Sequence, residues 1–286
     1  MTFERVGVVG SGIMGRGIAE VCARTGLDVV LHDISTARVD AARQAIDTSL
    51  QRAVTRDKLS EERAADAMAR LRTTTELQEL GDRELVMEAV VEEEATKLEV
   101  FAQLDEVLDD PDAVLASNTS SIPIMKLAMA TQRRDRVVGL HFFNPVPVLE
   151  LVELIPSLLT SEATTERVRS FATQQLGKHV IASDDRAGFV VNALLIPYLL
   201  SAIRMLESGF ATAEDIDQGV VRGAAHPMGP LALTDLIGLD TTMAVAVSLY
   251  EEFKEPLFAP PPLLSRMVDA GLLGRKTQRG FYTYPG

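Results

Sequence analysis

His141 and Glu153 are the side chains best suited to moving a proton in this chain, and they stand 12 positions apart. Removing hydride from a secondary alcohol leaves a proton on oxygen that a base must take, and an imidazole does this near neutral pH. His141 opens the string HFFNP after a strand expected at residues 137–140. A lone histidine there also reads as a structural residue. The segment 149–155 alternates, however, with Leu151, Glu153 and Ile155 on one face and Glu150, Val152 and Leu154 on the other. Glu153 returning on the sheet side would hold the imidazole. Ser120, in the string SNTSS at 117–121, and Asn192, in the apolar run 189–200, can donate hydrogen bonds to the alcohol oxygen as its charge changes. Their other readings are a helix cap for Ser120 and a backbone-bonded helix-interior residue for Asn192. A polar group in so apolar a run costs free energy without a partner.

Gly10, Gly12 and Gly15, in the string GSGIMG with Ile13 and Met14, follow an expected strand at 5–9 and open an expected helix. In that context Gly10 permits the tight turn, Gly12 lets a pyrophosphate approach the backbone, and Gly15 lets helix and strand pack closely. The helix N-terminus then offers free N–H groups and its positive dipole end. Asp33 ends the next strand, 18 residues after Gly15. A carboxylate there accepts hydrogen bonds from the adenosine ribose; its other reading is a cap for the helix starting near Ser35. A 2′-phosphate would meet like charge, and Ile34, Ser35, Thr36 and Ala37 supply no arginine to offset it. The cofactor expected is NAD, and no metal site is assigned.

The elements that must position these groups follow an α/β pattern. Short β-branched runs at 5–9, 29–32, 85–90, 114–116 and 137–140 alternate with helical periodicity, which predicts a parallel sheet. Met14, Ile18, Val21 and Cys22 share one helix face, and 35–70 reads as two helices with Ser60 capping the second. SNTSS and HFFNP then sit at carboxyl strand ends, the edge where ligands bind in an open parallel sheet. After Asp184 the strand signals stop, and helices are expected at 188–206, 212–221, 231–249 and 263–270. The expected domains are therefore 1–184, α/β, and 185–286, all-helical.

Composition agrees with two domains, since 286 residues exceed the size at which one core usually stops growing. With 28 Lys plus Arg against 41 Asp plus Glu, the net charge of −13 disfavours nucleic acid and anionic membrane as partners. An anionic substrate must then be held by a few local cations or by backbone N–H groups. No stretch approaches the roughly 18 uninterrupted apolar residues of a membrane span, and the opening residues lack a secretory pattern. Cys22 is the single cysteine, which excludes a disulfide within the chain and fits a reducing cytoplasm.

Taken in order, GSGIMG, SNTSS, GLHFFNPVPVLELVE, GFVVN, HPMGPLALTDLIGLD and RKTQRGFYTY resemble the 3-hydroxyacyl-CoA dehydrogenase family, in its stand-alone 3-hydroxybutyryl-CoA type, over nearly the whole chain. The resemblance implies an N-terminal Rossmann dinucleotide-binding domain and an all-helical C-terminal domain that forms a homodimer. Apolar helix content beyond what about 100 residues can bury points to the same dimer. His141 and Glu153 fall on the family's catalytic pair, Ser120 on its alcohol-contacting serine, and Asn144 and Asn192 on its asparagines. Further cofactor contacts fall on Glu92 and Lys97, which otherwise read as a helix-start carboxylate and a surface lysine. The family's CoA contacts fall on Ser49 and Arg56, with Lys58 as an alternative cation and a solvated helix face as the plain reading. Gln278 stands where the family carries glycine. The implied reaction is the NAD-dependent interconversion of a short-chain (S)-3-hydroxyacyl-CoA and its 3-oxo form.

Two other readings compete. A 3-hydroxyacid dehydrogenase of the lysine type needs a lysine in the second domain, and none stands between Lys178 and Lys254. A non-catalytic nucleotide-binding structural protein would have no use for His141, Glu153, Ser120 and Asn192 together.

Overall fold

Val- and Leu-rich runs pair into one eight-stranded sheet in the computed structural model, which describes residues 2–285. In chain order its strands are β1 (Arg5–Val9), β2 (Asp28–His32), β3 (Leu71–Thr74), β4 (Leu85–Glu88), β5 (Val114–Ser117), β6 (Val137–Phe142), β7 (Leu151–Pro156) and β8 (His179–Ala182). Their spatial order is β3-β2-β1-β4-β5-β6-β7-β8. Strands β1 to β6 run parallel, β7 is antiparallel to β6, and β8 is parallel to β7. The parallel part is a doubly wound Rossmann sheet, with the order reversing between β1 and β4, where such sheets bind dinucleotides. Every residue of β4, β5 and β6 is buried, as a sheet covered on both faces requires.

The covering helices of this unit are α1 (Ile13–Arg24), α2 (Thr36–Thr55), α3 (Glu61–Arg70), α4 (Glu94–Val107), α5 (Ile124–Met129) and α6 (Glu162–Ser170). α1 buries Ile18, Val21 and Cys22 against the sheet core. Ser60 caps α3, its hydroxyl accepting from the Arg63 N–H at 3.2 Å. β3 and β8 were not among the expected strands. Both are four-residue edge strands held by ladder bonds to β2 and β7; β3 is half polar, and β8 has an apolar run of only three residues, none of them buried.

The chain divides into two compact units between Arg186 and Ala187. The second holds α7 (Val191–Glu207), α8 (Ala213–Gly223), α9 (Pro230–Ile237), α10 (Leu239–Phe253) and α11 (Pro262–Asp269) around a core that includes Leu199, Leu200, Ile203, Leu231, Ala246 and Leu249. α7 starts later than the expected residue 188, because Gly188 and Phe189 take left-handed conformations at φ 73° and 49°. The single helix expected at 231–249 is two helices. They meet at 97°, and Gly238, at φ 102°, makes the corner.

Two buried carboxylates tie the second unit together. Asp217 accepts from the N–H groups of Leu231 and Ala232 at the start of α9 and from the Tyr282 hydroxyl. Asp235 accepts from the N–H groups of Phe281 and Tyr282 and from the Tyr284 hydroxyl, fastening the C-terminal strand of chain. Gln278 occupies a left-handed position at φ 60°, so the turn that a glycine would favour is kept. Among the described residues no single helix is long and apolar enough to cross a membrane.

Candidate active site

The turn from β1 to α1 is shaped by what glycine leaves out. A Cβ on Gly10 would lie 2.5 Å from the Ala89 carbonyl oxygen, and one on Gly15 would lie 1.7 Å from that of Gly10. A Cβ on Gly12 would meet nothing within 4 Å, so this face is open to an approaching ligand. Ile13 is exposed and Met14 partly buried at the start of α1, whose N-terminus has no side-chain cap and no acidic residue in its first turn. Its N–H groups and dipole end suit a pyrophosphate.

Asp33 follows β2 and is buried. Its Oδ2 accepts from the Ser11 N–H at 2.8 Å and the Ser11 hydroxyl at 2.7 Å, and its Oδ1 accepts from the Ile34 N–H at 2.8 Å. Burial would raise its pKa, but these donors and Arg38 outweigh burial and hold the carboxyl below the usual range. The helix-cap reading does not apply, since Ser35 is the cap residue of α2. The expectation that no arginine lies nearby is corrected: Arg38 Nη1, in the first turn of α2, is 3.6 Å from Asp33 Oδ1. Gly12, the open α1 terminus and Asp33 together form a donor and acceptor set that fits NAD.

Glu92 and Lys97 sit in a polar network that joins the ends of β4 and β5. Lys97, 1% exposed, reaches Glu88 at 2.6 Å and Glu92 at 3.2 Å, so it is no surface lysine. Glu92 precedes α4 rather than starting it, and its Oε1 accepts from the Thr119 hydroxyl and from the N–H and hydroxyl groups of both Ser120 and Ser121. Burial would raise the Glu92 pKa, but Lys97 and this cluster of donors hold it low. Glu88, fully buried at the end of β4, was not foreseen. It accepts from Lys97, from the Ser117 hydroxyl at 2.6 Å and from the Val90 N–H at 2.7 Å. Its one sequence signal is a carboxylate inside an apolar strand run with a lysine nine residues on. Ser120 does not cap a helix, because Pro123 precedes α5 and Asp185 accepts from its first two N–H groups.

His141 lies within β6, one residue before its end, rather than after a strand. The antiparallel register sets it directly opposite Glu153 in β7, which puts both side chains on one face. His141 Nδ1 is 2.7 Å from Glu153 Oε2, and the pair is buried, with Glu153 at 0% exposure. A carboxylate at Nδ1 selects the tautomer in which Nδ1 carries the proton and Nε2 is left to act as a base. The Phe143 ring packs 4.7 Å from the imidazole. Asn118, also unforeseen, accepts from the Phe142 N–H at 2.9 Å and so links SNTSS to the end of β6.

Asn144, Ser49 and Ile13 line a cavity of about 540 Å³. Glu20 lines the same cavity, and its pKa is pushed up by burial against the lowering effect of Ser49 and Arg24. Of the cations assigned from sequence, Arg56 directly follows α2 and Lys58 lies in the turn beyond it, and neither lines this cavity, whereas Arg52 and Arg16 do. The offset is one helical turn, from Arg56 back to Arg52. Asn192 is the second residue of α7, in the first turn rather than the helix interior.

Residues 5–186 match the model of the 3-hydroxyacyl-CoA dehydrogenase NAD-binding domain, and residues 188–284 match the C-terminal domain of the same family. A 3-hydroxybutyryl-CoA dehydrogenase of Mycobacterium tuberculosis is 60% identical over 281 residues, covering 98% of each chain. Among solved structures, M. tuberculosis FadB2 superposes with a TM-score of 0.98 at 60% identity over 100% of both chains. The (S)-3-hydroxybutyryl-CoA dehydrogenase PaaH1 of Ralstonia eutropha gives a TM-score of 0.94 at 46% identity over 99% of this chain and 100% of that one.

Proposed function

The chain belongs to the 3-hydroxyacyl-CoA dehydrogenase family, and from that membership we propose that it interconverts (S)-3-hydroxybutyryl-CoA and acetoacetyl-CoA with NAD. The observation that carries the chemistry is the buried pair of His141 and Glu153, 2.7 Å apart across β6 and β7. In oxidation His141 takes the hydroxyl proton at Nε2, the nitrogen that Glu153 does not engage. Glu153 orients the ring and stabilises its cation. In reduction the imidazolium returns that proton to the ketone oxygen. Ser120 donates a hydrogen bond to the same oxygen. Bound NAD supplies the hydride acceptor and, reduced, the donor. Gly10, Gly12, Ile13, Met14 and Gly15 hold its pyrophosphate, Asp33 its ribose, and Glu92, Lys97, Ser120 and Asn144 order the loops around its reactive end.

The CoA moiety occupies the cavity beside Ser49, with Arg52 and Arg16 facing its phosphates in place of Arg56 or Lys58. In a chain of net charge −13, local arginines of this kind are what a polyanion requires. The helical unit forms a homodimer, supported by its exposed Leu194, Met205, Phe210 and Val247. A cytoplasmic location goes with this reading, and the single cysteine, Cys22, is compatible with a reducing compartment. Loss of the NADH absorbance band on adding acetoacetyl-CoA to the purified protein tests the reading. A folded, NADH-binding protein that leaves the band unchanged with this thioester would sink it.

A further inference from the structure

Lys178 has no part in the chemistry assigned above. Its ammonium donates to the carbonyl oxygens of Val146 and Leu149, at 2.7 Å each. Both carbonyls belong to residues 143–150, the connection between β6 and β7 and so between His141 and Glu153. The sheet ladder ends at the Phe142 and Val152 pair, and the N–H groups of Val148 and Leu149 both turn back on the Pro145 carbonyl at 3.0 Å. The two carbonyls that Lys178 holds therefore lie outside the ladder, where a lost donor leaves them without those bonds.

Lys178 is itself well anchored. Its N–H donates to the Ala172 carbonyl at 2.8 Å, and the next residue, His179, donates to the Glu150 carbonyl at 2.8 Å. Burial and the charge of Arg24 favour its neutral form, and Glu150 and Cys22 oppose them.

The connection is also a wall. Val146 is buried against α1, where a Cβ on Gly17 would lie 3.0 Å from its own Cβ. Asn144, Val146 and Pro147 line the same cavity as Ser49 and Arg52. We propose that Lys178 is a positioning residue for thioester binding: by clamping the carbonyls of Val146 and Leu149 it fixes the cavity wall that faces CoA. The proposal rests on the reading of that cavity as the CoA site.

The test compares wild type, Lys178→Met and Lys178→Arg with acetoacetyl-CoA and with its N-acetylcysteamine-truncated thioester, and measures NADH binding in parallel. Lys178→Met raises KM for acetoacetyl-CoA about tenfold, the scale of one lost positioning contact. It leaves kcat, KM for the truncated thioester and NADH affinity within about twofold, and Lys178→Arg recovers most of the loss. An unchanged KM in folded Lys178→Met overturns the proposal. So does an equal loss for both thioesters and for NADH, which is the mark of a purely structural tie. Equal KM for the two thioesters in the wild type would instead remove the cavity reading, and this proposal with it.

Discussion

At the residue scale, the cofactor's ribose end is where charge decides the outcome. Asp33 spends three hydrogen-bond acceptances on Ser11 and Ile34, and Arg38 stands at 3.6 Å. Removing a charged hydrogen-bond partner costs about 1.5–3 kcal/mol, and removing this one also frees a guanidinium to meet a 2′-phosphate. Asp33→Ser is therefore expected to lower the ratio of kcat/KM for NADH over NADPH by about tenfold or more. Steady-state kinetics with both cofactors checks this, and an unchanged ratio would show that Asp33 does not read the ribose. Asp33 itself was legible in the sequence, because a carboxylate at the end of a second strand has few other uses. Arg38 was not. It stands one residue beyond Ala37, and only the first turn of α2 folds it back toward Asp33. Glu88 was hidden for the opposite reason: it sits inside an apolar strand, and its partners Lys97 and Ser117 come from separate elements.

At the element scale, segments with a strong period of their own were legible, and segments fixed by neighbours were not. α1 and the central strands carry clear periods in their own residues. The edge strands β3 and β8 are strands because β2 and β7 offer them free backbone edges. The placing of His141 beside Glu153 is intermediate. Alternation put Glu153 on one face, but only the antiparallel register, with residue 141 opposite residue 153, makes them neighbours. Gln278 gives an element-level test. A non-glycine residue in the left-handed region carries a steric cost of roughly 1–2 kcal/mol, partly offset by the entropy a glycine would lose. Gln278→Gly is expected to stabilise the C-terminal turn by about 0.5–1 kcal/mol. Denaturant unfolding measures it, and a destabilised variant would mean that the turn does not hold φ 60° in solution.

At the scale of the whole molecule, the first unit holds the His141 and Glu153 pair, the glycine turn between β1 and α1 and the cavity lined by Ser49 and Arg52. The second exposes apolar side chains, among them Phe210 at 80% exposure and Leu194 at 74%. Association through that surface predicts a homodimer by light scattering at micromolar concentration. A fully active monomer would contradict that assembly while leaving the chemistry intact. We propose that this chain oxidises a 3-hydroxyacyl-CoA through His141, and a general base of this kind contributes on the order of 10²–10⁴-fold to turnover. The direct measurement follows NADH formed from (S)-3-hydroxybutyryl-CoA and NAD across pH, for wild type and His141→Ala, with NADH binding measured alongside. The wild type should turn over. His141→Ala should bind NADH normally and lose roughly 10²–10⁴-fold in kcat. A folded His141→Ala protein with near wild-type kcat at every pH would show that another residue is the base.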